Sequence, residues 1–297
     1  MPVARMGTDR WLRGVGWASV AANCLLVVTG GAVRLTGSGL GCPTWPRCHG
    51  SSFTPHGEMN IHSAIEFGNR TLTFLLAAVA VVTFVAAWQS GRRELRWLAF
   101  WMAMAIPAQA VIGGITVLTH LNPWVVSFHL LSSFAIITVA VLFLWRIDRP
   151  LPRPSVMGWA TFAAAWGVLY IGTVVTGSGP HAGDARAPRN GLSPLQTSQF
   201  HADLVFLLVG LTLAMLIAAR TRSVVWLLGL EVAQGAVGFV QYFTGLPIVL
   251  VGFHMLGAAL IAAATAWVLY DSDTRGSGAD PGSAPAARRE PSGTVSR

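Results

Sequence analysis

Eight stretches of this 297-residue chain are long and apolar enough to cross a bilayer, and no other feature restricts its fold as much. A hydrocarbon layer of ~30 Å takes ~20 residues of α-helix. Runs of that length fall near 15–33, 64–89, 97–118, 125–145, 157–176, 199–219, 224–243 and 248–270. Charged residues are only 11% of the chain, and its mean hydropathy is +0.57, well above that of soluble domains. Arg5, Arg10 and Arg13 precede a first run of full membrane length, which reads as a span and not as a cleaved leader. The expected fold is an all-α integral membrane protein.

Charge sets the expected orientation. All twenty basic residues are arginine. With both termini on the cytoplasmic side, the segments there hold fifteen of them: Arg5, Arg10, Arg13, Arg92, Arg93, Arg96, Arg146, Arg149, Arg153, Arg220, Arg222, Arg275, Arg288, Arg289 and Arg297. The outer side holds Arg34, Arg47, Arg186 and Arg189, and Arg70 lies inside the second span. That asymmetry is the positive-inside pattern. It accounts for the net charge of +8 without any nucleic-acid partner.

The chain also repeats itself. Gln109 is followed twenty residues later by His129, and Gln234 is followed twenty residues later by His254, a constant offset of 125. Asn69 and His201 each stand five residues before a Phe-Leu-Leu, at Phe74 and Phe206. The expected outer connections alternate long and short: 34–62, 119–124, 177–198 and 244–247. Together these features predict two repeated four-helix bundles in series. The expected divisions are a cytoplasmic N-terminus over 1–14, an N-terminal bundle over 15–146 and a linker over 147–156. A C-terminal bundle over 157–270 and a disordered tail over 271–297, rich in Gly, Ser, Pro and Arg, complete the chain.

Under that topology Asn69, His129, His201 and His254 all lie within roughly the first two turns of spans entered from outside. They should sit about 5–10 Å below the outer helix ends and level with one another. An imidazole inside a span is costly and calls for a partner or a function. His201 and His254, at matched positions on even-numbered helices, suit coordination of one haem iron from both faces. The first half pairs His129 with Asn69, while His62, Glu66 and Asn69 follow at i, i+4 and i+7 on one helix face. A buried carboxyl is expensive unless paired, protonated or catalytic. Arg70 could pair with Glu66 at i+4 or with a ligand carboxylate. The first half therefore reads as a substrate site with an open or weakly filled iron position.

Cys42 and Cys48 stand in the first outer loop, where a pair can close a small disulfide ring as a structural staple or as a redox-active couple. Cys24, inside the first span, reads as a small core residue. His49, His56, His120 and His181 read as solvated loop residues. Arg34, Arg70, Arg186 and Arg189 lie near the outer face, where haem propionates would emerge.

At these residues the chain resembles the heme A synthase family of bacteria. The resemblance rests on GGAVRLTGSGLGCPTWPRC (30–48), IEFGNR (65–70), QAVIGGITVLTHLNPWVVSFHLL (109–131), GTVVTGSGPHAGDARAPRNGL (172–192), QFHADLVFLL (199–208) and QYFTGLPIVLVGFHMLGAAL (241–260), in that order. It implies an eight-helix plasma-membrane enzyme that oxidises the C8 methyl group of haem O to a formyl group, giving haem A for terminal oxidases. It implies a resident haem b held by His201 and His254. The substrate haem would lie in the N-terminal bundle, with His129 as an iron ligand and Glu66 as the essential acid. His62, Asn69 and Arg70 are further candidates at that site. The family's partners are haem O, delivered by a haem O synthase (a protohaem farnesyltransferase), membrane lipids and an unidentified electron donor. Cys42 and Cys48 match a cysteine pair of many members.

Two departures stand out. Members of the best-known type carry His at the position of Asn69, and some carry a second cysteine pair in the third outer loop, which this chain lacks. His62 does not simply stand in for the missing ligand, because seven helical residues span ~10 Å. The competing expectation is a bis-His membrane b-type cytochrome that only transfers electrons. A transporter built from repeats is a third reading, but it has no need of the Gln–His spacing.

Overall fold

The computed structural model describes residues 2–55 and 60–273, with side chains described from Asp9 onward. Among the described residues eight helices are long and apolar enough to cross a membrane. They are α1 (Pro2–Leu35), α2 (Ile61–Gln89), α3 (Arg93–Leu118), α4 (Pro123–Asp148), α5 (Val156–Ser178), α6 (Pro194–Ala219), α7 (Arg222–Phe243) and α8 (Ile248–Asp271). Each contains one of the apolar runs and extends beyond it, because helix ends are set by capping groups as well as by apolarity. Asn60 accepts a hydrogen bond from the Ser63 N–H, Ser155 from that of Gly158 and Ser193 from that of Gln196. Pro123 and Pro194 open their helices at the position where a missing N–H costs nothing. The largest extension is α1, whose helix continues through residues 2–14 with no break at the expected boundary. The tail beyond Asp273 and the loop residue His56 lie outside the described residues.

The helix neighbours form two rings. In the first, α1 packs on α2, α2 on α3, α3 on α4 and α4 back on α1. The second ring joins α5 to α6, α6 to α7, α7 to α8 and α8 to α5. Between the rings α4 meets α8, α1 meets α8 and α4 meets α5. Exchanging α1–α4 for α5–α8 maps this set of contacts onto itself, consistent with a two-fold repeat about an axis near α4 and α8.

The short connections repeat in backbone detail. In the turn after α3 the Thr119, His120 and Leu121 N–H groups donate to the Ile115, Val117 and Thr116 carbonyls. In the turn after α7 Thr244, Gly245 and Leu246 donate to Val240, Tyr242 and Gln241, each 125 residues on. Residues 120, 121, 245 and 246 all take positive φ, which is how such a turn satisfies the last helical carbonyls. Leu121 is thereby turned into the space between the two long loops. A Cβ on Gly39 would lie 2.9 Å from its side chain and a Cβ on Gly183 3.0 Å from it.

The main core gathers side chains of α1, α3, α4 and α8, among them Leu12, Leu95, Ile137, Phe143 and Ala266. Close helix approach depends on small residues. A Cβ on Gly16 would meet Leu144 of α4 at 2.6 Å, and one on Gly31 would meet Met255 of α8 at 2.5 Å. At the end away from the long loops, charged pairs ring the bundle: Arg13 with Asp148, Arg149 with Asp271, and Arg146 with Glu94.

At the long-loop end one side chain bridges the two repeats. Arg34, at the end of α1, donates from Nε to the His181 carbonyl at 2.7 Å and from Nη2 to the Thr176 carbonyl at 2.8 Å. Hydrogen bonds from a charged donor contribute roughly 1.5–3 kcal/mol each when well shielded. Arg34→Ala should therefore destabilise the protein by about 2 kcal/mol, read as a lower midpoint of thermal unfolding in detergent.

Candidate functional site

Three histidines point into the bundles, and each ring is seated on a glycine. A Cβ on Gly113 of α3 would lie 3.4 Å from His129 Cε1, one on Gly238 of α7 3.3 Å from His254 Cε1, and one on Gly172 of α5 3.1 Å from His201 Cε1. Gly113 and Gly238 are themselves 125 residues apart. Sequence reasoning passed over these glycines, although that offset was available to find two of them. The Nδ1 atoms of His129 and His254 are buried without a hydrogen-bond partner, while the His201 ring is within hydrogen-bonding reach of the Val168 backbone. Buried polar atoms are almost always partnered, and His129 and His254 repeat the exception 125 residues apart.

The matched glutamines explain the fixed Gln–His spacing. Gln234 Nε2 donates to the His254 carbonyl at 2.7 Å, and Gln109 Nε2 donates to Ser133 Oγ at 3.1 Å and reaches the His129 carbonyl at 3.5 Å. Each glutamine thus ties its helix to the backbone of the neighbouring histidine, the kind of outer contact that fixes a ligand's orientation. Gly257 makes room for Gln234, whose side chain a Cβ there would strike.

In the C-terminal bundle His201 of α6 and His254 of α8 face each other with ring centroids 6.5 Å apart and ring planes at 70°. Two metal–imidazole bonds of about 2 Å each, with half a ring on either side, place centroids about 6 Å apart. The spacing and the glycine seats fit a haem iron between these two rings.

The N-terminal bundle is organised differently. Glu66 of α2 is buried, and both carboxylate oxygens are engaged. The Cys42 N–H donates to Oε2 at 2.6 Å, and Arg70 Nη2 donates to Oε1 at 2.5 Å. Arg70 also reaches the Cys42 carbonyl at 3.0 Å and the Thr44 carbonyl at 3.3 Å, so one guanidinium clamps the carboxylate and the loop together. Of the two roles open to Arg70 in the sequence, the structure realises the ion pair with Glu66.

Cys42 and Cys48 form a disulfide, and the loop they close is docked on two helices. Gly41 lies so close to the first turn of α2 that a Cβ would come within 2.6 Å of the His62 backbone, and Ser63 Oγ donates to the Gly41 carbonyl at 2.8 Å. Trp45 packs on Gly114 of α3, the residue next to the His129 seat.

The remaining candidates are placed as follows. Asn69 Oδ1 accepts from Thr29 Oγ1 of α1 at 2.8 Å. His62 is exposed, with Nδ1 3.0 Å from Ser38 Oγ in the loop, so its ring turns away from the bundle interior that His129 faces. Arg189 donates to the Gly179, Pro180 and Ala187 carbonyls, and Arg186 lies 3.5 Å from Asp184. Sequence reading also missed Glu231 of α7, a buried carboxyl whose Oε1 accepts from Thr212 Oγ1 at 2.8 Å. A lone acidic residue inside an apolar run was the available signal.

Fold and site together define a multi-pass membrane protein whose two helical bundles carry buried histidines, His129 in one and His201 and His254 in the other. A family model for the COX15-CtaA cytochrome oxidase assembly proteins matches residues 13–189, and the chain belongs to that family. Proteins similar to it include the heme A synthase of Lysinibacillus sphaericus, 32% identical over 187 residues that cover 57% of this chain and 59% of that protein. The heme A synthase of Halalkalibacterium halodurans is 26% identical over 279 residues, covering 85% of this chain and 92% of that one. The first match thus spans less than two thirds of its relative, and the second spans nearly all of it.

The glycine seats generate a direct test. Gly172→Val pushes a branched side chain against the His201 ring and should cut the haem content of the purified protein several-fold. Gly235→Ala, with open space around the new Cβ, should leave it unchanged.

Proposed function

We propose that this protein is a heme A synthase, oxidising the C8 methyl group of haem O to the formyl group of haem A. The observation that carries the reading is the division of labour between two bundles of one repeat. One holds a facing His201–His254 pair, and the other holds His129 together with a buried, doubly bonded Glu66. The names of its relatives support the substrate and the reaction.

In this reading His201 and His254 hold the resident haem b, which when bound supplies one-electron transfer. Gln234 and the glycines at 172 and 238 keep the two rings in register. The N-terminal bundle binds haem O with His129 as an iron ligand. Asn69, tied to Thr29, adds no imidazole opposite it, so that face of the substrate is left open. Glu66 is the group that moves protons at the substrate, with Arg70 and the Cys42 N–H fixing its two oxygens. The disulfide loop, anchored by Gly41 and Trp45, bridges α2 and α3 and limits water at that end of the bundle.

The expected divisions of the chain become functional units on this view: 15–146 as the substrate bundle and 157–270 as the haem b bundle. The long loops face outward from a bacterial plasma membrane and both termini are cytoplasmic, as the arginine asymmetry supports. Haem O arrives from a haem O synthase, and electrons come from a donor outside the chain. A bis-His cytochrome that only carries electrons is the alternative, but it gives no role to a buried acid clamped beside a second histidine pocket.

Co-expression with a haem O-producing enzyme, followed by haem extraction, tests the reading. The wild type should yield haem A. Glu66→Ala should abolish it while leaving the low-spin spectrum of the resident haem intact, and His254→Ala should remove that spectrum. Haem A production unaffected by Glu66→Ala would defeat the assignment of the acid, and a wild type that carries haem without making haem A would favour the cytochrome.

A further inference from the structure

Glu231 lies on the inner face of the C-terminal bundle and takes no part in the site described above. It precedes Gln234 by three residues and Gly238 by seven, so all three share one stripe of α7. Gln234 binds the His254 carbonyl and Gly238 seats the His254 ring. The carboxyl therefore sits on the helix face that meets the histidine pair, about 10 Å farther from the long-loop end. Thr212, its donor, follows His201 by eleven residues, close to three full turns, and so lies on the face of α6 that carries His201. Glu231 is 3% exposed, and its Oε2 has no hydrogen-bond partner. The first repeat has nothing comparable: the positions matched by the same offsets are Ile106 and Ala80.

The other titratable groups on α7 and on the helices packed against it are committed elsewhere. On α6 the Asp203 carboxylate accepts from Gln199. On α8 Asp271 accepts from Ser223 and from Arg149, and Tyr270 donates to the Thr138 carbonyl of α4. Arg222 and Tyr242 stand near opposite ends of α7. Among the described residues of these three helices, the titratable groups left in the bundle interior with Glu231 are His201 and His254. At the far end a hollow lined by Leu216, Ile217, Arg220 and Val225 opens at the α6–α7 turn, one turn beyond Thr212.

We infer that Glu231 is the proton-accepting partner of the haem held by His201 and His254, setting its potential and coupling its reduction to proton uptake. This rests on the reading of that pair as a haem site. A buried carboxyl with one bare oxygen is sensitive to any change of charge along the same low-dielectric axis. An oxidised iron favours the carboxylate, and a reduced iron favours the neutral acid. On reduction one electron passes to the iron from an external one-electron donor and one proton passes from water to Glu231 Oε2. Glu231 touches neither haem ligand, so it acts by charge as a positioning residue.

The test is an optical redox titration of the full-length protein in detergent, with soluble mediators as the electron source, repeated across pH. The wild-type midpoint potential should fall as pH rises through the titration of Glu231. Glu231→Gln should flatten that dependence and raise the potential at alkaline pH, where the wild type carries the anion, while the two proteins coincide at acid pH. Thr212→Val removes the hydrogen bond that favours the anion, so the sloping region should move to higher pH. Glu231→Asp should retain a slope. A Glu231→Gln protein whose potential equals that of the wild type at every pH would overturn the inference, as would a Thr212→Val protein with an unmoved slope. If the wild type shows no low-spin haem that His254→Ala removes, the haem reading itself fails and this inference fails with it.

Discussion

The hydrocarbon surroundings that eight apolar spans imply are the constraint on which the rest of this structure depends. In hydrocarbon a polar group has no solvent to fall back on, so each one must find a partner in the protein or stay unsatisfied. Most do find one. Thr83 bonds Ser19 and its own helix, Ser127 meets Thr173, and Arg34 takes two carbonyls. The buried atoms left without a partner include the Nδ1 atoms of His129 and His254 and the Oε2 of Glu231. Gln109 and Gln241 Oε1 and the indole nitrogens of Trp145 and Trp166 share that condition.

The repeat supplies the geometry at low cost in invention. One helical unit carries a glutamine, a glycine seat and a histidine at fixed separations, and a second copy reproduces them 125 residues on. The copies then differ at the position that precedes the repeated Phe-Leu-Leu by five residues. The second sets another imidazole, seated on a glycine of α5, 6.5 Å from the first. The first offers Asn69, held by Thr29, and recruits its distinctive chemistry from the first long loop. A symmetric scaffold thus carries two unlike sets of interior side chains, and the difference lies in a few residues and one loop, not in the helix arrangement.

Much of this was legible in the sequence, and for a definite reason. Membrane spans announce themselves by length and apolarity, and a polar residue inside such a span is conspicuous because its burial is costly. All eight runs lie within helices, and Glu66, His129, His201 and His254 stood out on the same principle. Glycine seats were harder to see, since a glycine in an apolar helix also serves ordinary close packing, as Gly16 and Gly31 do. His62 was indistinguishable from a core residue by helical spacing, because the loop residue that engages it, Ser38, is twenty-four positions away.

The sequence by itself determined the eight helices, the repeat and the position of each polar residue along its helix. Those are properties of composition and periodicity along one segment at a time. Only the tertiary structure decided what each polar group does. It put the Cys42 N–H on Glu66, turned Arg70 to that same carboxylate, aimed His62 at the loop and set His201 6.5 Å from His254. Each of these contacts joins segments remote in sequence or selects one rotamer among several. A pattern along one helix states which face a residue occupies, and the partner across the bundle is fixed only when the helices close around it.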